Sequence, residues 1–150
     1  MAQPSYLAII SLMLFAGGIT GCASPAQTVG SEAATLVAEG SAEGTETPGH
    51  VILDGEAQIR EHAPRGMDVE GVDRLVVIHA GRHPDGRYSA DVSVEVTGDR
   101  VRFQCDVAVA EGGAFTQAVV YPWQAFAISP DLDVVVDDCS GGERAPKTSG

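Results

Sequence analysis

Two runs of strict alternation constrain this chain more than any other feature. Across residues 87–96 the apolar positions are Tyr88, Ala90, Val92, Val94 and Val96. Across residues 100–109 they are Val101, Phe103, Cys105, Val107 and Val109. A period of two puts each set on one face of an extended strand. Between the runs lies Thr97-Gly98-Asp99-Arg100, and Gly98-Asp99 suits a two-residue primed hairpin turn in which glycine supplies the positive φ. That turn sets Thr97 opposite Arg100, so Val96 faces Val101, Val94 faces Phe103 and Val92 faces Cys105. A slip of one residue would carry every apolar side chain to the polar face, so the register is specified. On that polar face Glu95 meets Arg102, a favourable cross-strand pair, and Asp91 meets Asp106.

Upstream, His83-Pro84-Asp85-Gly86-Arg87 fits a type I turn with a glycine bulge. It predicts a strand over residues 74–82 folded back on the hairpin, with His83 opposite Arg87. Val76, Ile78 and Ala80 would then share the core face with Val94, Val92 and Ala90, and His79 would lie opposite Asp91. Leu75 and Val77 point the other way, so this strand is expected to be covered on both faces. Further strands are expected over 51–53, 57–60, 116–121 and 132–137. Pro122 places residues 121–123 at an edge or corner, and a short helical turn over 123–127 stays open. Within residues 50–140 valine outnumbers leucine sixteen to three, a bias toward strand formers. With no long amphipathic helix, these signals predict a small antiparallel β-sandwich or barrel.

Charge and composition narrow the function classes. The chain has 150 residues, 21 acidic and 9 basic side chains and a formal charge of −12. A polyphosphate partner wants a basic face, so nucleic-acid binding is excluded as an expectation. An apolar content of 44% is ordinary for a globular chain and argues against full disorder.

The remaining sequence divides around the β domain. The first 21 residues carry no Asp, Glu, Lys or Arg, and 13 of them are apolar. The run Leu7-Ala8-Ile9-Ile10-Ser11-Leu12-Met13-Leu14-Phe15-Ala16 is too short for a bilayer core of about 20 residues but has the length of a signal-peptide apolar region. Ile19-Thr20-Gly21-Cys22 follows, and here the chain resembles the bacterial lipoproteins, whose lipobox is an aliphatic residue, two small residues and cysteine. The resemblance implies cleavage between Gly21 and Cys22 and diacylglyceryl attachment to the Cys22 thiol. It implies export and anchoring of the domain to a bacterial membrane, in the periplasm or on the cell surface. Two or three acyl chains give durable anchoring where one would be marginal. Residues 1–6 depart from the pattern in having no Lys or Arg. An ordinary signal peptide with an incidental Cys22 and a retained anchor are the weaker alternatives.

Residues 22–49 read as the lipidated Cys22 and a disordered acidic tether, since over 23–49 four Glu, no basic residue and nine apolar residues, six of them Ala, cannot build a core. The β domain is then expected over 50–140, and residues 141–150 read as a disordered tail. If Cys22 is lipidated, Cys105 and Cys139 remain, and an oxidising compartment favours their disulfide over two free thiols. A few features around residues 51–55 and 134–140 are also similar to mycobacterial surface lipoprotein antigens. Cys105 falls too late for their disulfide pattern, and the domain is assigned to no family.

Other constellations carry less. His79 and His83 lie about 13 Å apart on an extended strand, too far to share a metal ion. The outward row of His79, Asp91 and Asp106 reads as screened surface charge. Asp131, Asp133 and Asp137 lie along one solvent face, with Asp138 beside Cys139; they read as a charged edge that discourages aggregation, not a calcium loop. No G-x-S-x-G or H-E-x-x-H motif is present. The expectation is therefore a lipid-anchored envelope protein whose β domain binds an envelope or extracellular partner, with no catalysis, cofactor or metal. Its acidity favours a cationic protein partner, for instance a basic wall hydrolase such as lysozyme. The alternatives are a structural surface spacer without a specific ligand and a small envelope enzyme.

Overall fold

A computed structural model describes residues 32–139 as seven strands and one short helix. The signal segment, Gly21, Cys22 and the tail over 141–150 lie outside the described residues. The strands are β1 (Ala34–Gly40), β2 (Gly49–Asp54), β3 (Arg74–His79), β4 (Tyr88–Thr97), β5 (Arg100–Val109), β6 (Trp123–Ile128) and β7 (Asp133–Asp137), with α1 (Glu56–His62) after β2. They form a four-stranded antiparallel sheet, β1-β6-β3-β2, and a three-stranded sheet, β4-β5-β7. The two sheets pack as a small sandwich and do not close into a barrel.

The β4–β5 hairpin has the register read from its turn, from Tyr88 opposite Val109 to Thr97 opposite Arg100. Gly98 adopts a positive φ of 61°, as the turn demands. Its inward row, including the buried Val101, Phe103, Cys105 and Val107, makes one half of the main core. Val76, Ile78, Phe126 and Ile128 of the other sheet make the facing half, and the rings of Phe103 and Phe126 meet at 5.1 Å. β7 runs parallel to β5, and Cys139, just beyond it, is disulfide-bonded to Cys105.

β3 departs from its expected place. It pairs with β2 and β6, not with β4. Val76, Ile78 and Ala80 do share a core with Ala90, Val92 and Val94, but across the sandwich instead of along one sheet. The reason is local. Gly81 turns the chain at φ 84°, His83 bridges to Val120, and the segment crosses to the second sheet before β4 begins. Cover on both faces holds: Leu75 and Val77 belong to a second buried cluster with Leu53, Ile59, Trp123 and Ala125.

Four other expectations are corrected. Residues 57–60 belong to α1, which buries Ile59 completely and carries a Glu56–Arg60 pair one turn apart. Residues 116–121 form no strand; only Val120 makes a bridge. Residues 123–127 are extended in β6, a central strand, while Pro122 sits buried at the corner before it and its carbonyl accepts the Ala80 amide at 2.8 Å. Finally, the tether expected to run to residue 49 stops short of Ala34, where β1 begins on β6. Composition misled because β1 builds no core of its own; it adds to a sheet edge, and only Ala34 is buried.

Candidate functional site

The residues singled out in the sequence are largely structural. Cys105 and Cys139 tie β5 to the chain beyond β7. Asp91 and Asp106 are opposite one another on the solvent face of the three-stranded sheet, as the register requires. His79 is not with them: it belongs to the other sheet. On β7, Asp133 pairs with Arg100 at 3.3 Å and Asp137 with Arg102 at 2.8 Å. The hydrogen bond from Arg102 holds the Asp137 carboxyl below the ordinary carboxylate range and raises the guanidinium in turn. Arg102 thus answers Asp137 on the parallel neighbour more closely than Glu95 opposite it. Asp138 contacts His50 of the four-stranded sheet at 2.7 Å, and Asp131 lies outside these pairs, before β7. Among the described residues no group of three or more His, Cys, Asp or Glu is placed to hold a metal ion.

His83 is also accounted for. Its ring stacks on Tyr88 at 4.7 Å, and its Nε2 lies 3.1 Å from the Ala80 carbonyl oxygen. In the same turn Arg87 hydrogen-bonds Asp85 and holds that carboxyl below its usual range. These contacts shape the crossing between the sheets.

A different place stands out, on the outer face of the four-stranded sheet. At one end of that face the ladder sets Gly40, Trp123, His79 and Gly49 side by side on β1, β6, β3 and β2. The Trp123 indole lies over Gly40, where a Cβ would come within 2.7 Å of the ring, and its Nε1 donates to the Ala42 carbonyl at 2.7 Å. On the other flank Gly49 leaves room: a Cβ there would meet nothing within 4 Å. His79 therefore has a wall on one side and open space on the other.

That space is a cleft of about 490 Å³. Val51 and Val77 line its sheet side with His79, Glu61 and His62 come from the end of α1, and Glu43 and Arg65 from the flanking loops. His79 retains only 9% of its surface, and its Nδ1 is buried without a hydrogen-bond partner. Burial pushes its pKa below the ordinary value, so at neutral pH the ring is an uncharged imidazole. Such a ring offers one donor and one acceptor. At the rim, Arg65 reaches Glu43 at 3.7 Å and His62 reaches Glu61 at 3.8 Å, both long contacts between exposed side chains. An apolar wall, an unsatisfied neutral imidazole and two rim carboxylates equip this cleft to hold a small polar group carrying hydrogen-bond donors.

Sequence reasoning passed over His79 by giving it an outward place beside Asp91. The signal was present in Leu75-Val76-Val77-Ile78-His79. By parity His79 shares its face with Leu75 and Val77, the pair that already demanded cover on a second side. Comparison with protein-family models, curated proteins and solved structures returns no match, so the site stands on its own geometry.

Proposed function

We propose that this chain is an exported, lipid-anchored envelope protein whose β-sandwich binds a cationic protein partner without catalysing a reaction on it. The observation that carries the reading is electrostatic. Residues 32–139 hold twenty carboxylate side chains against seven arginines and no lysine. Each of those arginines is already ion-paired with a carboxylate of the same domain. The sandwich therefore presents a large excess of negative charge and no arginine without a carboxylate beside it. Such a field steers a basic partner toward the domain and repels polyanions. The lipobox Ile19-Thr20-Gly21-Cys22 supports the anchor, and the Cys105–Cys139 disulfide suits an oxidising compartment.

Two measurements test the two halves. In cells fed an alkynyl fatty acid the protein should take up label, and Cys22→Ser should take up none; label persisting in Cys22→Ser would remove the anchor. Egg-white lysozyme, as a basic probe, should bind the full-length chain at low ionic strength. Its affinity should fall by on the order of tenfold or more between about 20 and 500 mM salt, where the Debye length shrinks to a few ångströms. An affinity indifferent to salt would remove the electrostatic argument. No binding at low salt would favour a surface spacer without a specific ligand.

A further inference from the structure

We propose that the His79 cleft is the receptor pocket for a single arginine side chain presented by the cationic partner, an inference that rests on the function proposed above and locates its contact. The protein leaves His79 without a partner where a partner would ordinarily be found. The ring is nine-tenths buried, its enclosed Nδ1 makes no hydrogen bond, and the residue lines the cleft, with Gly49 opposite it on β2. Ligand entry that shifts the surrounding side chains would give that enclosed atom the partner it lacks.

The chemistry of the walls selects the ligand. Val51, Val77 and Pro64 offer an apolar surface of the kind that covers the methylene stem of a long basic side chain. At its end a guanidinium presents five N–H donors in a plane, more than an ammonium can direct at separate acceptors. The acceptors here are the neutral imidazole of His79 and the carboxylates of Glu43 and Glu61. Because the imidazole is uncharged at neutral pH, it accepts a hydrogen bond from a cation without repelling it. Glu43 is held loosely by Arg65: the side-chain contact is 3.7 Å long with the Arg65 side chain 90% exposed, and the Arg65 backbone N–H donates to Glu43 Oε2 at a long 3.4 Å. An incoming guanidinium replaces Arg65 at Glu43. An anionic ligand would meet Arg65 and His62 but also both carboxylates and the negative field of the whole domain.

The position suits a partner approaching from outside. β1 enters the sheet at Ala34 opposite Ile128 and leaves it at Gly40 opposite Trp123. The chain that precedes the domain therefore joins at the far end of the sheet from the row containing His79, roughly 20 Å away along the strand. The His79 row is thus at the opposite end of β1 from the point where the preceding chain joins.

The test uses the purified full-length chain and a capped tripeptide, Gly-Arg-Gly, with its neutral citrulline counterpart. Binding is followed through the histidine-ring and amide resonances. The arginine peptide should shift the His79 ring signals and bind at least about tenfold more tightly than the citrulline peptide, which keeps the shape and loses the charge. Gly49→Leu, whose Cβ meets no atom within 4 Å and whose side chain stands beside His79 on the neighbouring strand, should weaken it about tenfold, as should His79→Phe. Glu61→Gln, at a side chain three-quarters exposed and harmless to folding, should weaken it about threefold or more. Equal binding of the two peptides, shifts confined to residues outside the cleft, or no shift at all would overturn the proposal. The same variants are then titrated with lysozyme. Salt-dependent binding retained in all three would discard the pocket and keep the cationic partner; no binding to the unmodified chain would discard both.

Discussion

At the scale of single residues, His79 is where stability and recognition pull apart. A buried polar atom without a partner costs about 1–3 kcal/mol relative to its solvated state. His79→Phe removes that atom while keeping a flat ring, and the cleft that residue 79 lines gives the larger ring room. The variant should therefore be more stable by about 1 kcal/mol at pH 7.5 in urea unfolding, although it weakens the proposed pocket. The pH dependence has a definite sign. Burial lowers the His79 pKa below its unfolded value near 6.5, so below that pH the unfolded chain takes up a proton that the folded chain resists. Stability is therefore unaffected by this titration above about pH 6.5 and declines as pH falls toward the lower folded value. Glu43, Glu61, His62 and Arg65 line the same cleft in both proteins, so the difference between the two isolates the ring at position 79. Between pH 7.5 and 5 the unmodified chain should lose more stability than His79→Phe. Equal losses would show that the ring does not titrate against burial.

At the scale of elements, legibility follows how local the determining forces are. The β4–β5 hairpin could be registered residue by residue because its turn, both strands and its apolar row lie within twenty-three consecutive positions, with glycine at the one site that needs positive φ. The partner of β3 could not. Its sequence shows that two faces are buried, but β2 and β6 are chosen by contacts far along the chain, and the turn chemistry of residues 83–87 suggests a hairpin instead. What decides is Gly81 at φ 84°, packed so close to Pro48 that a Cβ would sit 2.8 Å from its ring, together with the His83–Val120 bridge. β1 was invisible for a third reason: an edge strand borrows its hydrogen bonds from a sheet already formed, so alanines suffice where a free strand would need bulk. α1 is seven residues long, too short for a helical period to stand out from an extended one. The cleft inherits these limits. Gly40, Gly49, His79 and Trp123 lie on four strands and meet only because the sheet orders β1, β6, β3 and β2 side by side.

At the scale of the whole molecule, the weakest join is the one between β5 and β7. β7 has five residues, sits at a sheet edge and pairs in parallel, so its partner lies across a long excursion through the other sheet. Two exposed ion pairs, Arg100–Asp133 and Arg102–Asp137, add little against solvent screening. The disulfide is the stronger constraint, since it joins residues 34 positions apart. For a loop of that size the chain-entropy estimate is roughly 3.8 kcal/mol, a large share of the 5–15 kcal/mol typical of a domain. The four-stranded sheet with α1 and the β4–β5 hairpin keep their own ladders when the bond is cut. Loss should therefore begin at β7. In Cys105→Ala/Cys139→Ala the urea midpoint should drop by the equivalent of about 2–4 kcal/mol, and hydrogen exchange should accelerate over residues 133–137 before it does over 88–109. A drop under about 1 kcal/mol, or exchange rising uniformly across both sheets, would mean that the ladder alone holds β7 and that the cysteines contribute packing and no more.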